Sequence, residues 1–167
     1  MRTTAVFATA ASLLSLASAR INGFAVPSTI KPDDDIAIRI TTEGYIQSVQ
    51  EVAISFGISP ANTSYPGSLG PTLLSSKFLG PGKCLASMQR DSRLTECTDL
   101  SNTDGNITHY VHIPSDLAKG PAVLQAGLFS LYGVSLGPTI SSYTVNVTVG
   151  DNTSSDYVQS TFIPQSQ

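Results

Sequence analysis

The stretch from Lys119 to Pro138 constrains the fold more than any other part of the chain. Two Gly-Pro pairs bound it, and it holds the longest apolar run outside the N-terminal segment. In strand phase one face is apolar, and the other is broken only by Gln125 and Gly127, which suits a strand in the middle of a sheet. Ala and Leu also favour a helix, but the internal glycines and the Gly-Pro boundaries favour a strand. We therefore predict a central β-strand here.

Six further segments show strand patterns separated by turn residues, at about 21–26, 36–41, 46–58, 72–79, 107–113 and 142–149. In the third of these strands we expect Val52, Ile54 and Phe56 to share one face. Seven strands without a helical pattern predict an all-β fold, a two-sheet antiparallel β-sandwich of immunoglobulin or fibronectin-III type. The core is predicted to bury one set of side chains together: Leu128, Phe129, Phe56, Ile38 and Val145.

Residues 1–19 have the form of a secretory signal peptide. Arg2 precedes an apolar run over 5–16, and Ala17-Ser18-Ala19 has the small-x-small pattern of a signal-peptidase site, so we expect cleavage before Arg20. The run is shorter than the roughly 20 residues of a membrane-spanning helix. We expect a secreted, extracellular protein without membrane insertion. The sandwich domain is predicted over 20–150, and the polar segment 151–167 is predicted to be a frayed tail.

Charge argues against two classes of partner. Outside the predicted signal peptide, eight basic and twelve acidic residues give a net charge of −4, and the basic residues are scattered along the chain. Nucleic acids and anionic membranes are bound by clustered positive charge. We therefore expect neither as a partner, and we expect a monomer.

Two covalent features follow from secretion. Cys84 and Cys97 are the only cysteines, and an even count in a secreted chain predicts a disulfide between them. Four N-x-[ST] sequons predict glycosylation at Asn62, Asn106, Asn146 and Asn152.

Three patterns that suggest chemistry have simpler interpretations. Residues 133–137 match G-x-S-x-G around Ser135, but Pro138 follows at once and both histidines precede the motif, which favours a β-turn over a hydrolase elbow. His109 and His112 lie three apart on one strand and point to opposite faces, so they do not share a metal ion. The three adjacent carboxylates at 33–35 cannot all converge on calcium. We predict no catalytic, cofactor or metal site, and no enzyme.

Five segments carry a family resemblance: ARING at 19–23, TTEGYIQSVQEVAISFGIS at 41–59, SYPGSLGP at 64–71, GLFSLYG at 127–133 and YTVNVTVGD at 143–151. Together they resemble the necrosis-inducing secreted protein family of fungal plant-pathogen effectors. The resemblance covers roughly Arg20 to Asp151, except for the cysteine-containing excursion at 83–102.

The resemblance implies a secreted effector that provokes plant cell death and suppresses pattern-triggered immunity. Its implied partner is an immune receptor co-receptor kinase or a receptor-like cytoplasmic kinase. A cytoplasmic kinase domain is reached only if the protein enters the host cell. The family pattern assigns no binding residue, so the loops at 59–70 and 133–142 are the first places where we expect recognition.

Two alternatives to a kinase-binding effector are also compatible with the sequence. The first is a wall-associated structural or carbohydrate-binding protein. A carbohydrate platform usually needs exposed aromatic side chains, and the chain has no Trp, which leaves its six tyrosines for that role. A copper-dependent polysaccharide monooxygenase has a similar sandwich, and residues 113–120 resemble its corner before a strand. That enzyme family needs a copper-binding His as the first mature residue, where this chain is predicted to have Arg20.

Overall fold

A computed structural model of the protein describes residues 18–79 and 107–164. Those residues contain no α-helix, a single short 3-10 turn at Ala61–Thr63, and ten β-strands: β1 Ser18–Pro27, β2 Thr29–Ile30, β3 Asp35–Tyr45, β4 Val49–Pro60, β5 Thr72–Phe78, β6 Ile107–His112, β7 Gly120–Tyr132, β8 Gly137–Val149, β9 Tyr157–Gln159 and β10 Thr161–Ile163. All seven predicted strands are present, and the all-β prediction is confirmed.

The strands form two sheets that pack against each other. The four-stranded sheet has the order β6-β3-β1-β9, and the six-stranded sheet has the order β10-β8-β7-β4-β5 with β2 added along β8. Every pairing is antiparallel except the short parallel pairing of β2 with β8. The predicted central strand is β7, which is hydrogen-bonded on both sides, to β8 and to β4. The sandwich prediction is thereby confirmed.

The core lies between the inner faces of the two sheets. Its centre is an edge-to-face contact between Phe24 of β1 and Phe56 of β4, with ring centroids 5.4 Å apart. Burying each of these rings contributes about 1.5–3 kcal/mol. Ile38, Leu128 and Val145 are also buried, as predicted.

The prediction for Phe129 is wrong. Its side chain is 38% exposed. Successive side chains of a strand point to opposite faces, so the residue after the buried Leu128 must point away from the core. An apolar pattern on both faces of β7 did not reveal which of the two faces the second sheet covers.

A β-bulge in β4 changes which residues face the core. The register of β4 against β7 shifts between Glu51 and Ala53, so Val52 is the extra residue. Val52 is consequently only half-buried, while Ile54 and Phe56 are buried as expected, and Glu51 is turned into the interior. The prediction that Val52 shares the face of Ile54 is therefore corrected.

The segment after residue 150 is not a frayed tail, and this prediction is corrected. β9 pairs with β1 of the four-stranded sheet, and β10 pairs with β8 of the six-stranded sheet. Between them, the Ser160 hydroxyl accepts a hydrogen bond from the Phe24 amide at 2.9 Å, and the Ser160 amide donates to the Phe24 carbonyl at 2.8 Å. The segment therefore ties the two sheets together along one side of the sandwich.

The loop after β4 folds back over the outer face of the six-stranded sheet. A Cβ at Gly57 would lie 2.1 Å from the Leu69 carbonyl oxygen, so the loop backbone approaches β4 too closely for any side chain there. The buried Gln125 side chain donates to the Ser64 hydroxyl at 3.0 Å. The loop thus covers one end of this face, and the other end stays open.

Several predicted features lie outside the described residues: the bulk of the signal peptide, the Cys84–Cys97 disulfide and the sequon asparagine Asn106. Within the described parts of the chain, no helix has the length and apolar character to cross a membrane.

Candidate interaction surface

The outer face of the six-stranded sheet is free of charge. Its four long strands, β4, β5, β7 and β8, contain only two charged residues, Glu51 and Lys77, and both are buried. Soluble proteins normally have charged side chains on a solvent-facing sheet surface, because charge keeps that surface hydrated and prevents association. The outer face of this sheet instead presents only apolar and uncharged polar side chains.

Four apolar residues line up across this face, and we call them the apolar row. Ala53 of β4 is paired with Phe78 of β5 on one side and with Phe129 of β7 on the other, and Phe129 is paired with Ile140 of β8. Phe78 is 62% exposed and Ile140 is 65% exposed. With neighbouring strands about 4.8 Å apart, the row spans about 14 Å.

Two turns extend the apolar surface beyond the ends of the strands. Ile46, in the turn between β3 and β4, and Val134, in the turn between β7 and β8, are almost fully exposed. The Gly133 amide donates to the Ser48 carbonyl at 2.8 Å, which holds the two turns side by side. The turns therefore add two exposed apolar side chains at the end of the sheet where the apolar row lies.

The predicted glycosylation sites lie away from the apolar row. Asn146 is exposed on the same outer face, but it pairs with Val123, six residues along β7 from Phe129, a separation of about 20 Å. Asn62 is exposed in the 3-10 turn of the loop that covers this far end. Asn152 is exposed after β8. Glycans at these three positions would leave the apolar row uncovered.

The structure does not bring the candidate catalytic residues together. Ser135 lies in the turn that joins two antiparallel strands, β7 and β8, where a hydrolase elbow would lead into a helix. The prediction of a β-turn is confirmed.

The two histidines have separate partners. His109 shares a hydrogen bond of 2.8 Å with the Ser75 hydroxyl and stacks on the Phe56 ring. Burial, together with the Lys77 charge, lowers the pKa of His109. His112 Nδ1 instead lies 3.0 Å from the Asp35 carboxylate. Among the described residues, no group of three or more potential ligands is arranged to hold a metal ion.

A buried carboxylate is the polar site that the sequence did not indicate. Glu51 Oε1 accepts a hydrogen bond from the Ile21 amide at 2.9 Å, and Oε2 accepts one from the Ser130 hydroxyl. Burial raises the pKa of Glu51, while the two hydrogen bonds and the Arg20 charge act in the opposite direction. The bulge at Val52 turns this side chain inward, and alternation along the strand could not have revealed it.

The apolar row was also missed in the sequence, because Phe129 was predicted to lie in the core. Of the two loops expected to carry recognition, the one at 133–142 contains Ile140 of the row. The other, at 59–70, covers the opposite end of the same face. One side of the sandwich therefore holds both loops and the row.

Comparisons with known proteins confirm the resemblance drawn from the sequence. The model of the Nis1 family matches residues 17–148. Necrosis-inducing secreted protein 1 of Colletotrichum orbiculare is 50% identical over 155 residues, which cover 93% of this chain and 85% of that protein. The protein of the same name from Colletotrichum higginsianum is 47% identical over 160 residues, covering 96% of this chain and 99% of that protein. The chain therefore belongs to the Nis1 family, a family of necrosis-inducing secreted proteins.

Proposed function

We propose that this secreted effector induces necrosis and suppresses pattern-triggered immunity by binding a plant immune kinase, through the apolar row and without catalysis. The partner is the kinase domain of an immune receptor co-receptor or a receptor-like cytoplasmic kinase, as the family resemblance implies. The observation that carries the choice of surface is the uncharged outer face with Phe78, Phe129 and Ile140 exposed in one line.

The composition of this surface supports the proposal. A stable protein–protein interface buries about 800 Å² on each partner and usually has aromatic side chains at its centre. The apolar row supplies two phenylalanines at the middle of a rigid sheet, and the adjoining turns add Ile46 and Val134. Because the row lies on paired strands, its backbone is already ordered and loses little conformational entropy on binding.

The position of the sequons also supports it. Asn62 and Asn146 lie at the far end of the same face, where the predicted glycans would leave the row free. A binding function that uses the row is therefore compatible with passage through the secretory pathway.

The test is co-precipitation of the purified protein with purified kinase domains of both classes. Ile140→Thr and Phe129→Thr each remove an apolar side chain from the row and keep a residue that favours strands. We expect each variant to weaken kinase binding by at least about tenfold, as loss of a central interface residue does.

Tyr110→Thr is the matched control. Tyr110 is 71% exposed, close to the value for Ile140, but it lies on β6 of the other sheet. This variant should bind like the unchanged protein. If the unchanged protein binds no kinase domain, the proposed partner is wrong. If all three variants bind equally, the proposed surface is wrong while the partner stands.

A further inference from the structure

The backbone of Ile21 is held by side chains from the opposite sheet. Its amide donates to the Glu51 carboxylate at 2.9 Å, and its carbonyl accepts a hydrogen bond from the Tyr143 hydroxyl at 3.1 Å. Ile21 is itself buried. Glu51 belongs to β4 and Tyr143 to β8, so side chains from two strands of the six-stranded sheet form hydrogen bonds with the backbone of one residue of β1. Strand ends ordinarily fray unless they are tied down, and these two bonds tie this end of β1 to the opposite sheet in addition to its pairing with β3.

Glu51 has no cationic partner in direct contact among the described residues. Its side chain is 4% exposed, and its two hydrogen-bond donors, the Ile21 amide and the Ser130 hydroxyl, are both neutral. The guanidinium of Arg20 forms an ion pair with Glu43 at 3.1 Å. A buried carboxylate without a counter-ion is costly for the fold.

The other ionisable groups around this carboxylate do not supply the missing charge. Electrostatic interactions link the site to Arg20 on β1, to Glu43 and Tyr45 on β3, and to the tyrosines of the six-stranded sheet, Tyr132 and Tyr143. Burial raises the pKa values of Tyr132 and Tyr143, which keeps both phenols neutral, and neither Glu43 nor Tyr45 has a cationic side chain. Arg20 is therefore the only cation of this group.

The missing cation would be created next to this carboxylate by removal of the predicted signal peptide. Cleavage before Arg20 places an α-ammonium group on the Arg20 nitrogen, one peptide unit before the Ile21 nitrogen. A residue spans at most about 3.6 Å of chain. Added to the 2.9 Å hydrogen bond from Ile21, this puts the new charge within about 6.5 Å of Glu51 Oε1.

We propose that Glu51, Ser130 and Tyr143 form an internal binding site for the chain's own amino terminus. In the precursor, Ser18 and Ala19 continue β1 along β3, and the carboxylate meets only neutral donors in direct contact. In the mature chain, the α-ammonium group supplies the counter-ion. Removal of the signal peptide thus raises the free energy of unfolding of the sandwich. The charged terminus stabilises the mature chain relative to a chain that extends beyond Arg20 at its amino end.

The pH dependence follows from the sign of the interaction. In a chain without the ammonium charge, burial raises the pKa of Glu51 above its ordinary 4.5. The folded protein then keeps its proton to higher pH than the unfolded chain does, so stability falls as pH rises above about 4.5. The ammonium charge lowers the pKa of Glu51 and reduces this fall. Its effect disappears as the α-amino group itself loses its proton, at about pH 8.

The test compares the mature protein beginning at Arg20 with the same protein acetylated at its amino terminus. Acetylation removes the charge and leaves the side chains intact. We expect acetylation to raise the unfolding equilibrium constant, the ratio of unfolded to folded protein, by about tenfold at pH 6–7, which is the effect of losing a charge pair at this separation in a partly screened site. In Glu51→Gln the same acetylation should change the constant less than about twofold.

Glu43→Gln is the control for the exposed carboxylate that pairs with Arg20. The effect of acetylation should persist in this variant. If Glu51→Gln does not fold, NMR titration of the Glu51 carboxyl answers the same question, because acetylation should raise its pKa. An equal effect of acetylation with and without the Glu51 charge, or an unchanged pKa of Glu51, would overturn the proposal.

Discussion

Tyr143 connects the interior polar site to the edge of the sandwich. Its hydroxyl donates to the Ile21 carbonyl, and its ring meets the Phe162 ring of β10, with centroids 5.7 Å apart. Burial, with smaller contributions from Tyr132 and Glu51, raises the pKa of Tyr143 to about 12. The phenol is thus held as a neutral hydrogen-bond donor over the whole physiological range, which is the form that the Ile21 carbonyl requires.

Tyr143→Phe tests this hydrogen bond. The ring contacts remain, but the buried Ile21 carbonyl loses its donor, so we expect unfolding to require about 1–3 kcal/mol less free energy. Urea denaturation monitored by circular dichroism measures the loss. Tyr65→Phe, at an exposed position in the loop after β4, is the control and should be neutral. A neutral Tyr143→Phe would show that solvent satisfies the Ile21 carbonyl.

His109 makes the fold sensitive to mild acid. Because burial lowers the pKa of His109, the unfolded chain binds a proton that the folded chain excludes. Stability is then complete above the ordinary histidine pKa of about 6.5 and is lost as pH falls through that value. His109→Gln should remove this part of the pH dependence between pH 7 and 5. Denaturation midpoints across that range measure it, and a dependence that survives in His109→Gln would assign it to another group.

Phe129 and Phe56 provide a direct comparison between an outward and an inward ring. Phe56→Ala should lower the free energy of unfolding by about 3–5 kcal/mol, since it opens a cavity beside the Phe24 ring. Phe129→Ala should cost about 1 kcal/mol, because the side chain is exposed and leaves no closed cavity. Thermal unfolding of the two variants measures both changes. Equal losses of unfolding free energy would mean that the outer face is covered in solution.

At the scale of elements, the alternation of apolar and polar residues predicted where the strands lie better than it predicted which face of each strand is buried. The period-2 pattern located seven strands, and the long apolar run identified β7 as the centre of its sheet. The pattern could not tell which face of β7 meets the second sheet, because both faces are apolar. That choice depends on β1 and β3, which are distant in sequence.

Two other elements escaped prediction for different reasons. β9 and β10 have three residues each, too few for a periodic signal, and their pairing with β1 and β8 is long-range. The bulge at Val52 reverses the alternation within β4, so it places Glu51 inside the core against its chemical preference. The apolar row and the Glu51 site, the two candidate sites of this molecule, thus both lie where local pattern and tertiary packing disagree.

Deletion of residues 157–167 tests the contribution of β9 and β10. The deletion uncovers the Tyr143 ring and removes the hydrogen bonds between Ser160 and Phe24, so we expect a loss of at least about 2 kcal/mol of stability. Deletion of 165–167 alone is the control and should be neutral. Chemical denaturation measures both, and equal stability of the two truncated proteins would show that these strands contribute nothing.

At the scale of the whole molecule, the sandwich is joined along two sides. On one side the segment from β9 to β10 crosses from one sheet to the other. On the other side Ser75 of β5 bonds to His109 of β6, which links the edge strands of the two sheets. With both sides joined, the outer face of the six-stranded sheet is a rigid platform, with the sequon residues Asn62 and Asn146 at one end and the apolar row at the other.

A glycan placed on the row tests whether this end of the platform is the functional one. Ile140→Asn creates a new sequon with Ser142, two residues further along β8, at a position that is exposed and outside the core. Expressed through a secretory pathway, the variant should gain the mass of a glycan and keep its melting temperature. It should no longer cause necrosis when infiltrated into leaves, because a glycan is far larger than the contact it covers.

Two controls separate the glycan from the substitution. Ile140→Gln changes the same side chain without creating a sequon and should lose less activity than the glycosylated variant. Asn146→Gln removes a predicted glycan from the far end of the same face and should leave necrosis unchanged, because that end is already covered by the loop after β4. Full necrosis from the Ile140→Asn protein, with the added glycan verified by mass spectrometry, would mean that the apolar row is not the surface through which the effector acts.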